Sequence, residues 1–178
     1  MRINIRKEEL SDASHIHDVI EAAFRDVAHS DQTEQFIVRS LRDCGVLTIS
    51  LVVEESDRIV GHVAVSPVAL SNGATGWYGL GPIAVLPGDQ RKGMGSQLMH
   101  AAVAELKARN AHGCVLLGNP EFYKRFGFEC IDSLVLPEAP PEYFQALLLQ
   151  GPYPKATVTY HPSFFAANAP ASGAPADQ

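Results

Sequence analysis

The chain has 178 residues, 46% of them apolar, and a formal net charge of −6. This length suits a single domain, and the apolar share can fill a sizeable core. Because the charge is acidic and no long basic run occurs, nucleic acid and anionic membrane surfaces are not expected as partners.

The first part of the chain alternates predicted strands and helices, which differ in the period of their apolar residues. Either Ser11 or Ser14 could cap the first helix. The predicted elements are a strand at 2–6, helices at 11–26 and 32–42, strands at 47–53 and 58–66 around a polar turn at 54–57, and a continued apolar pattern at 68–70.

A hairpin and an irregular strand follow. The sequence Ser-Asn-Gly at 71–73 is a strong hairpin signal, and a strand returns over 77–85. This strand contains Gly79, Gly81 and Pro82, which disturb regular pairing. We therefore predict a bulge or a splay here, with a bulge that only curves the sheet as the alternative.

The next turn carries the features of an anion site. A helix is expected over 92–110, directly after an apolar strand. The start of a helix leaves N–H groups unpaired and carries partial positive charge. Gly93 and Gly95 lack a Cβ, so an anion can approach these N–H groups closely, and Arg91 and Lys92 add full positive charge. The turn therefore predicts a pyrophosphate cradle.

Two other phosphate motifs fit this turn less well. A P-loop would need a lysine where Met94 stands. A dinucleotide fingerprint would need a third glycine where Leu98 stands. The alternative without a ligand is a glycine-rich helix start.

A second segment, 118–128, contains a short predicted helix. Asn119 is a good N-cap, and Pro120 is a good first helical residue. Gly127 ends this helix, and Phe128 is expected to begin another strand.

The rest of the chain is predicted to be strands and a tail. Residues from 166 have almost nothing to bury and are expected to be disordered, which leaves one domain over 1–165. The further predicted strands are 114–117, 131–136, 144–149 and 157–160.

The cysteines and the first residues of the chain are used to predict the cellular compartment of the protein. Cys44, Cys114 and Cys130 are too few for a disulfide framework, so we expect three core thiols in a reducing compartment. No metal-ligand spacing occurs, so no metal is expected. No stretch reaches the length of a membrane span, and the first residues lack a signal-peptide core. The sequence predicts a soluble cytoplasmic protein.

The spacing that begins at Gln90, Gln-x-x-Gly-x-Gly after a strand, resembles the acyl-CoA-binding motif of the GNAT N-acetyltransferase superfamily. Segment 118–128 resembles the GNAT segment in which a tyrosine on a short helix faces the CoA sulfur, and Tyr123 matches that tyrosine. The sequences at 60–63, 80–82 and 118–120 resemble a bacterial branch of predicted N-acetyltransferases.

The resemblance covers about residues 2–165 and implies an α/β fold with a mixed, strongly curved sheet and helices on both faces. It implies acetyl-CoA as cosubstrate, with the pantetheine arm in the gap beside the bulged strand. Tyr123 is then the catalytic residue, whose hydroxyl protonates or hydrogen-bonds the sulfur, and Asn119 bonds the pantetheine arm or the short helix. The cofactor-binding residues so implied are Ile83, Ala84, Val85, Gln90, Arg91, Lys92, Gly93, Met94, Gly95, Ser96, Asn119 and Tyr123.

The general base is where the sequence departs from the common family pattern. Many members carry a carboxylate near the bulge, whereas residues 78–81 here are Tyr-Gly-Leu-Gly. A water chain or His62 could take the proton, although a structural role for this histidine is the favoured interpretation. Glu21 and Glu34 are expected to be solvated charges on the first two helices.

The sequence therefore predicts transfer of an acetyl group from acetyl-CoA to an amino group by direct attack in a ternary complex. The acceptor is a small-molecule amine or a protein amino group, and a different acyl donor and a homodimer stay open. The alternative is a non-catalytic acyl-CoA-binding sensor. The presence of Tyr123 favours the catalytic interpretation. The absence of a carboxylate near the bulge keeps the sensor alternative open.

Overall fold

A computed structural model describes residues 2–166. Its strands are β1 (Ile3–Lys7), β2 (Ile49–Glu55), β3 (Arg58–Leu70), β4 (Trp77–Val85), β5 (Gly113–Leu117), β6 (Leu134–Val135), β7 (Phe144–Leu148) and β8 (Ala156–Tyr160). Its α-helices are α1 (Ala13–Phe24), α2 (Glu34–Asp43), α3 (Met94–Ala108), α4 (Pro120–Tyr123) and α5 (Ser163–Ala166). The predicted tail, 166–178, lies outside the described residues except for Ala166.

The strands form one mixed sheet in the order β1-β2-β3-β4-β5-β7. Strands β1 to β4 are antiparallel, β4 and β5 are parallel, and β5 and β7 are antiparallel. The far end of β3 also pairs with β8, which pairs in parallel with β6. The predicted class, a mixed α/β sheet, is confirmed.

Helices cover both faces of the sheet, because successive side chains of a strand point to opposite sides. Leu51 and Val53 of β2 pack in the cluster that contains the apolar stripe of α3. Val52, between them, packs with Ile16 and Ile20 of α1 on the other face. Two apolar layers therefore hold the sheet between α3 and the α1–α2 pair.

The predicted irregularity of β4 is confirmed as both a bulge and a splay. Val63 of β3 pairs with Ile83 of β4, but Val65 pairs with Leu80, so two residues of β4 stand opposite one of β3. The pairing of β4 with β5 is confined to residues 77–79 of β4. Within the described part of the chain, the later edge of β4 has no strand partner on the β5 side.

The start of α1 differs from the prediction. Neither Ser11 nor Ser14 caps the helix. A 3-10 turn over Leu10–Asp12 precedes it, and the Asp12 carboxylate accepts a hydrogen bond of 2.7 Å from the Glu9 N–H. The Asp12 side chain makes no capping hydrogen bond to α1 itself, so α1 continues from the 3-10 turn without a side-chain cap.

The strands predicted from Phe128 and over 131–136 are largely wrong. A single bridge between Glu129 and Ala146 follows Phe128, and β6 has two residues. A turn in which the Leu134 N–H donates to the Ile131 carbonyl at 3.1 Å interrupts the apolar run.

The cysteine prediction is wrong for two of the three residues. Cys114 is buried in β5, but Cys44 and Cys130 are exposed. Cys44 follows the last residue of α2 as its C-cap. Separately, no helix among the described residues is long and apolar enough to cross a membrane. Residues 2–166 contain no group of His, Cys, Asp and Glu that could hold a metal.

A part-buried polar chain links Glu8, directly after β1, with β2 and β3 and includes the buried His62. The His62 Nε2 lies 2.7 Å from the Ser50 hydroxyl, which bonds the Glu8 carboxylate. Arg42 of α2 donates to the same carboxylate at 2.7 Å. His62 is fully buried, and its pKa is lowered to about 4, because burial and the nearby Arg42 outweigh the attraction of Glu8.

This histidine is expected to make stability fall in mild acid. An unfolded histidine has a pKa near 6.5. Below that pH the unfolded chain therefore binds a proton while folded His62 stays unprotonated, which favours the unfolded state. Between pH 6.5 and pH 5 the loss amounts to about 2 kcal/mol. Urea unfolding at pH 7 and pH 5 measures it. His62→Gln should flatten this dependence, and an equal loss in wild type and variant would contradict the assignment.

Candidate functional site

An open cleft of about 530 Å³ lies where β4 ends and α3 begins, and we call it the α3 cleft. It brings together most of the residues predicted to bind a cofactor. These are Ile83, Ala84, Val85, Gln90, Arg91, Gly93, Met94, Gly95 and Ser96.

The backbone at the start of α3 suits an anion. Gly93 is the N-cap residue with φ of 86°, and Arg91 has φ of 65°. Left-handed positions within such a turn aim successive N–H groups into one concavity. A Cβ added to Gly93 would meet no atom within 4 Å, so the space in front of this turn is open.

Two further residues of the α3 cleft were missed by the sequence analysis. Arg125 and Phe122 line it from the side of α4. The Arg125 guanidinium stacks 4.5 Å from the centre of the Phe122 ring, and its Nε donates to the Phe122 carbonyl at 3.2 Å. With Arg91, the cleft thus has two guanidinium groups near the helix N-terminus. The sequence analysis identified segment 118–128, but nothing in the sequence shows that this segment packs beside α3.

Lys92 and Gln90 have structural partners around the same turn. The Lys92 ammonium lies 3.3 Å from the buried Asp89 carboxylate, which Arg58 also contacts at 3.3 Å. The Gln90 amide donates to the Val85 carbonyl at 3.0 Å, which fastens the turn to the end of β4. Gln90 lines the α3 cleft, whereas Lys92 is not part of its lining.

Asn119 also lies outside the lining of the α3 cleft and caps α4. Its Oδ1 accepts a hydrogen bond of 3.0 Å from the Glu121 N–H. This confirms the predicted N-cap, while the predicted contact of Asn119 with a cofactor stays a prediction.

Two variants of Asn119 separate these roles. Asn119→Ala should lower the free energy of unfolding by about 1 kcal/mol, because a helix N–H loses its acceptor. Asn119→Asp keeps an acceptor and should match the wild type in urea unfolding. The cofactor contact requires both variants to bind CoA less tightly by calorimetry. Equal CoA affinity of all three proteins would remove Asn119 from the predicted cofactor site.

A second cleft of about 440 Å³ adjoins the first, and we call it the Tyr123 cleft. Ile83 of β4 lines both clefts, and the bulge residues Gly81 and Pro82 line the second. Phe122 lines the first cleft and Tyr123 the second, so α4 lies along both. The free edge of β4 therefore leads from one cleft into the other.

Tyr123 lines this second cleft with a neutral side chain. Its side chain is half-buried, and burial raises its pKa above the ordinary value of 10. Among the described residues, its hydroxyl has no hydrogen-bond partner. The ring packs edge-on against Phe122, with centroids 4.9 Å apart. Gly118 leaves room for this ring, because an added Cβ would lie 2.3 Å from the Tyr123 Cε2.

The structure also distinguishes the residues that could act as the general base, by their burial and by whether they line a cleft. His62 is buried between strands and lines neither cleft, which supports its structural interpretation. Glu21 is exposed, 3.8 Å from Arg25. Glu34 lines the Tyr123 cleft, is half-buried, and accepts the Ser30 hydroxyl at 2.7 Å. The packing of α2 brings Glu34 to the cleft, where it stays partly exposed, and the expectation that it is a solvated charge stays a prediction.

Comparisons with known proteins identify relatives of this chain. The sequence model of the acetyltransferase (GNAT) domain matches residues 47–130. The uncharacterised N-acetyltransferase YhbS of Escherichia coli strain K12 is 35% identical over 111 residues, and the match spans 62% of this chain and 66% of YhbS. This chain thus aligns with just under two thirds of that curated relative.

Two crystal structures are similar over more of the chain. A GNAT family acetyltransferase from Brucella melitensis, in complex with acetyl-CoA, has a TM-score of 0.83 and 44% identity, covering 92% of this chain and 98% of that one. Escherichia coli YhbS in complex with CoA has a TM-score of 0.80 and 31% identity, covering 93% of each chain. The fold, the bulged β4 and this extent of identity show that the chain belongs to the GNAT family of acetyltransferases.

Proposed function

We propose that this protein transfers the acetyl group of acetyl-CoA to an amino group by direct attack in a ternary complex. The observation that carries the proposal is the meeting of the two clefts at Ile83, with an anion-suited turn in one and Tyr123 in the other. The two related structures contain acetyl-CoA and CoA, which supports the choice of cosubstrate. The transferase domain is proposed to span residues 1–165.

The cosubstrate is proposed to lie along both clefts. Its pyrophosphate would accept hydrogen bonds from N–H groups at the start of α3, with Arg91 and Arg125 adding charge. Its pantetheine amides would pair with backbone groups of Ile83 and Val85, because this edge of β4 has no strand partner among the described residues. The thioester would then reach Tyr123.

The chemistry needs few groups from the protein. The acceptor amine loses a proton to water, and its nitrogen forms a bond with the thioester carbon. The bond from that carbon to sulfur breaks, and the Tyr123 hydroxyl donates its proton to the leaving thiolate. The proton released by the new amide nitrogen returns to Tyr123 through water. Positioning of two reactants in adjoining clefts supplies much of the rate gain.

An amine panel tests the activity. Purified protein is mixed with acetyl-CoA and single amines, free thiol is followed by a colour reagent, and products are identified by mass. We expect amine-dependent thiol release with one acetyl group gained by the amine. CoA binding without turnover of any small amine or amino-terminal peptide would favour the sensor alternative and overturn the proposal.

A further inference from the structure

The Tyr123 cleft has walls that are almost entirely apolar. They come from the end of α1, from α2, α4 and α5, from β4, the end of β5 and β8, and from the segment after β6. The apolar residues that line it include Phe24, Ile37, Leu117, Leu136, Phe164 and Phe165. Such walls favour an apolar body, because burial of apolar surface is the main source of attraction in a small cleft.

The charged residues that line this cleft, among those the structure describes, are two glutamates. Glu34 is half-buried and is fixed by the Ser30 hydroxyl, which lies 2.7 Å and 2.9 Å from its two carboxylate oxygens. Glu138 is exposed and lines the same cleft. An ammonium group is attracted to this pair, whereas a carboxylate on the same molecule is repelled.

Two large apolar side chains of the cleft are open to solvent. Leu117 is 46% exposed and Phe165 is 51% exposed. A bound apolar group would cover them, whereas a polar amine would leave them in water. The volume of about 440 Å³ is that of a small-molecule site.

We propose that the acceptor is a small primary amine with an apolar body of aromatic size and no carboxylate. Its ammonium lies beside Glu34, and its apolar body lies between Phe24 and the phenylalanines of α5. This inference rests on the proposed acetyl transfer, because it takes the cleft beside Tyr123 as the acceptor site. It excludes free amino acids and strongly polar amines as preferred acceptors.

Calorimetry on the CoA-saturated protein tests the inference. The probes are 2-phenylethylamine, phenylalanine, which adds a carboxylate, and ethanolamine, which lacks the apolar body. We expect 2-phenylethylamine to bind at least about tenfold more tightly than either of the others. Glu34→Gln should weaken its binding by about tenfold, since one charged partner is lost. Glu21→Gln, on an exposed glutamate of α1 outside this cleft, is the matched control and should bind like the wild type.

The outcomes separate this inference from the proposed function. CoA affinity is measured first, and absence of CoA binding counts against the proposed function. The amines are also titrated into the free protein, so the preference of the Tyr123 cleft is measured whether or not CoA binds. Equal affinity for phenylalanine, no measurable binding of 2-phenylethylamine, or an unchanged affinity in Glu34→Gln would each overturn the inference.

Discussion

Gly95→Val is expected to weaken CoA binding by about a hundredfold or more while the protein stays folded. Gly95 is the second residue of α3 and lines the α3 cleft. An added Cβ would meet only the Phe122 ring, at 3.8 Å, which is an ordinary contact. The branched side chain therefore fits the fold but occupies the space of the pyrophosphate. Loss of one or two charge-assisted hydrogen bonds accounts for roughly 3 kcal/mol.

Position 95 is chosen rather than position 93 because of the backbone conformation at Gly93. At Gly93 the φ of 86° would strain any other residue, so a loss of binding there could come from local misfolding. Gly88→Val adds the same side chain at an exposed glycine outside the cleft lining and serves as the control. Calorimetry gives CoA affinity, and thermal unfolding checks the fold. Undiminished CoA affinity in folded Gly95→Val would contradict the assigned cradle.

Tyr123→Phe is expected to lower kcat by about a hundredfold, with CoA affinity changed by no more than about twofold. The ring and its packing are kept, and the proton donor to sulfur is lost, which typically costs a factor of this size. Tyr143→Phe removes a hydroxyl from an exposed tyrosine and should keep full turnover.

The pH dependence of the rate adds a second readout for Tyr123. Because burial raises its pKa above 10, its hydroxyl keeps its proton throughout the neutral range. The wild-type rate should therefore not decline through loss of this proton below about pH 10. Full turnover of Tyr123→Phe, measured by thiol release with an active amine, would make Tyr123 a packing residue.

The features that sequence reasoning predicted are those encoded in contiguous residues. The glycine-rich start of α3 and the Asn119 cap of α4 each depend on a few neighbouring residues and on local backbone chemistry. The bulge of β4 was readable because Gly81 and Pro82 disturb pairing wherever they stand in a strand. These signals were enough to predict the fold class and most of the residues that line the α3 cleft.

The features that were missed depend on packing between distant segments. Glu34 lines the Tyr123 cleft because α2 packs against α1 and α5, which no local sequence pattern records. Arg125 lines the α3 cleft because α4 lies next to α3. Periodicity predicts that a helix has an apolar face, but not what lies beside its polar face.

Titration of CoA into isotope-labelled protein, followed by the amide resonances, tests the central claim most directly. We predict that the amides of residues 91–96 shift most at saturation, together with those of 83–85 on the free edge of β4. Unchanged amides at 91–96, with the largest shifts instead around the separate cleft lined by Lys7, Thr48 and Arg109, would contradict the account.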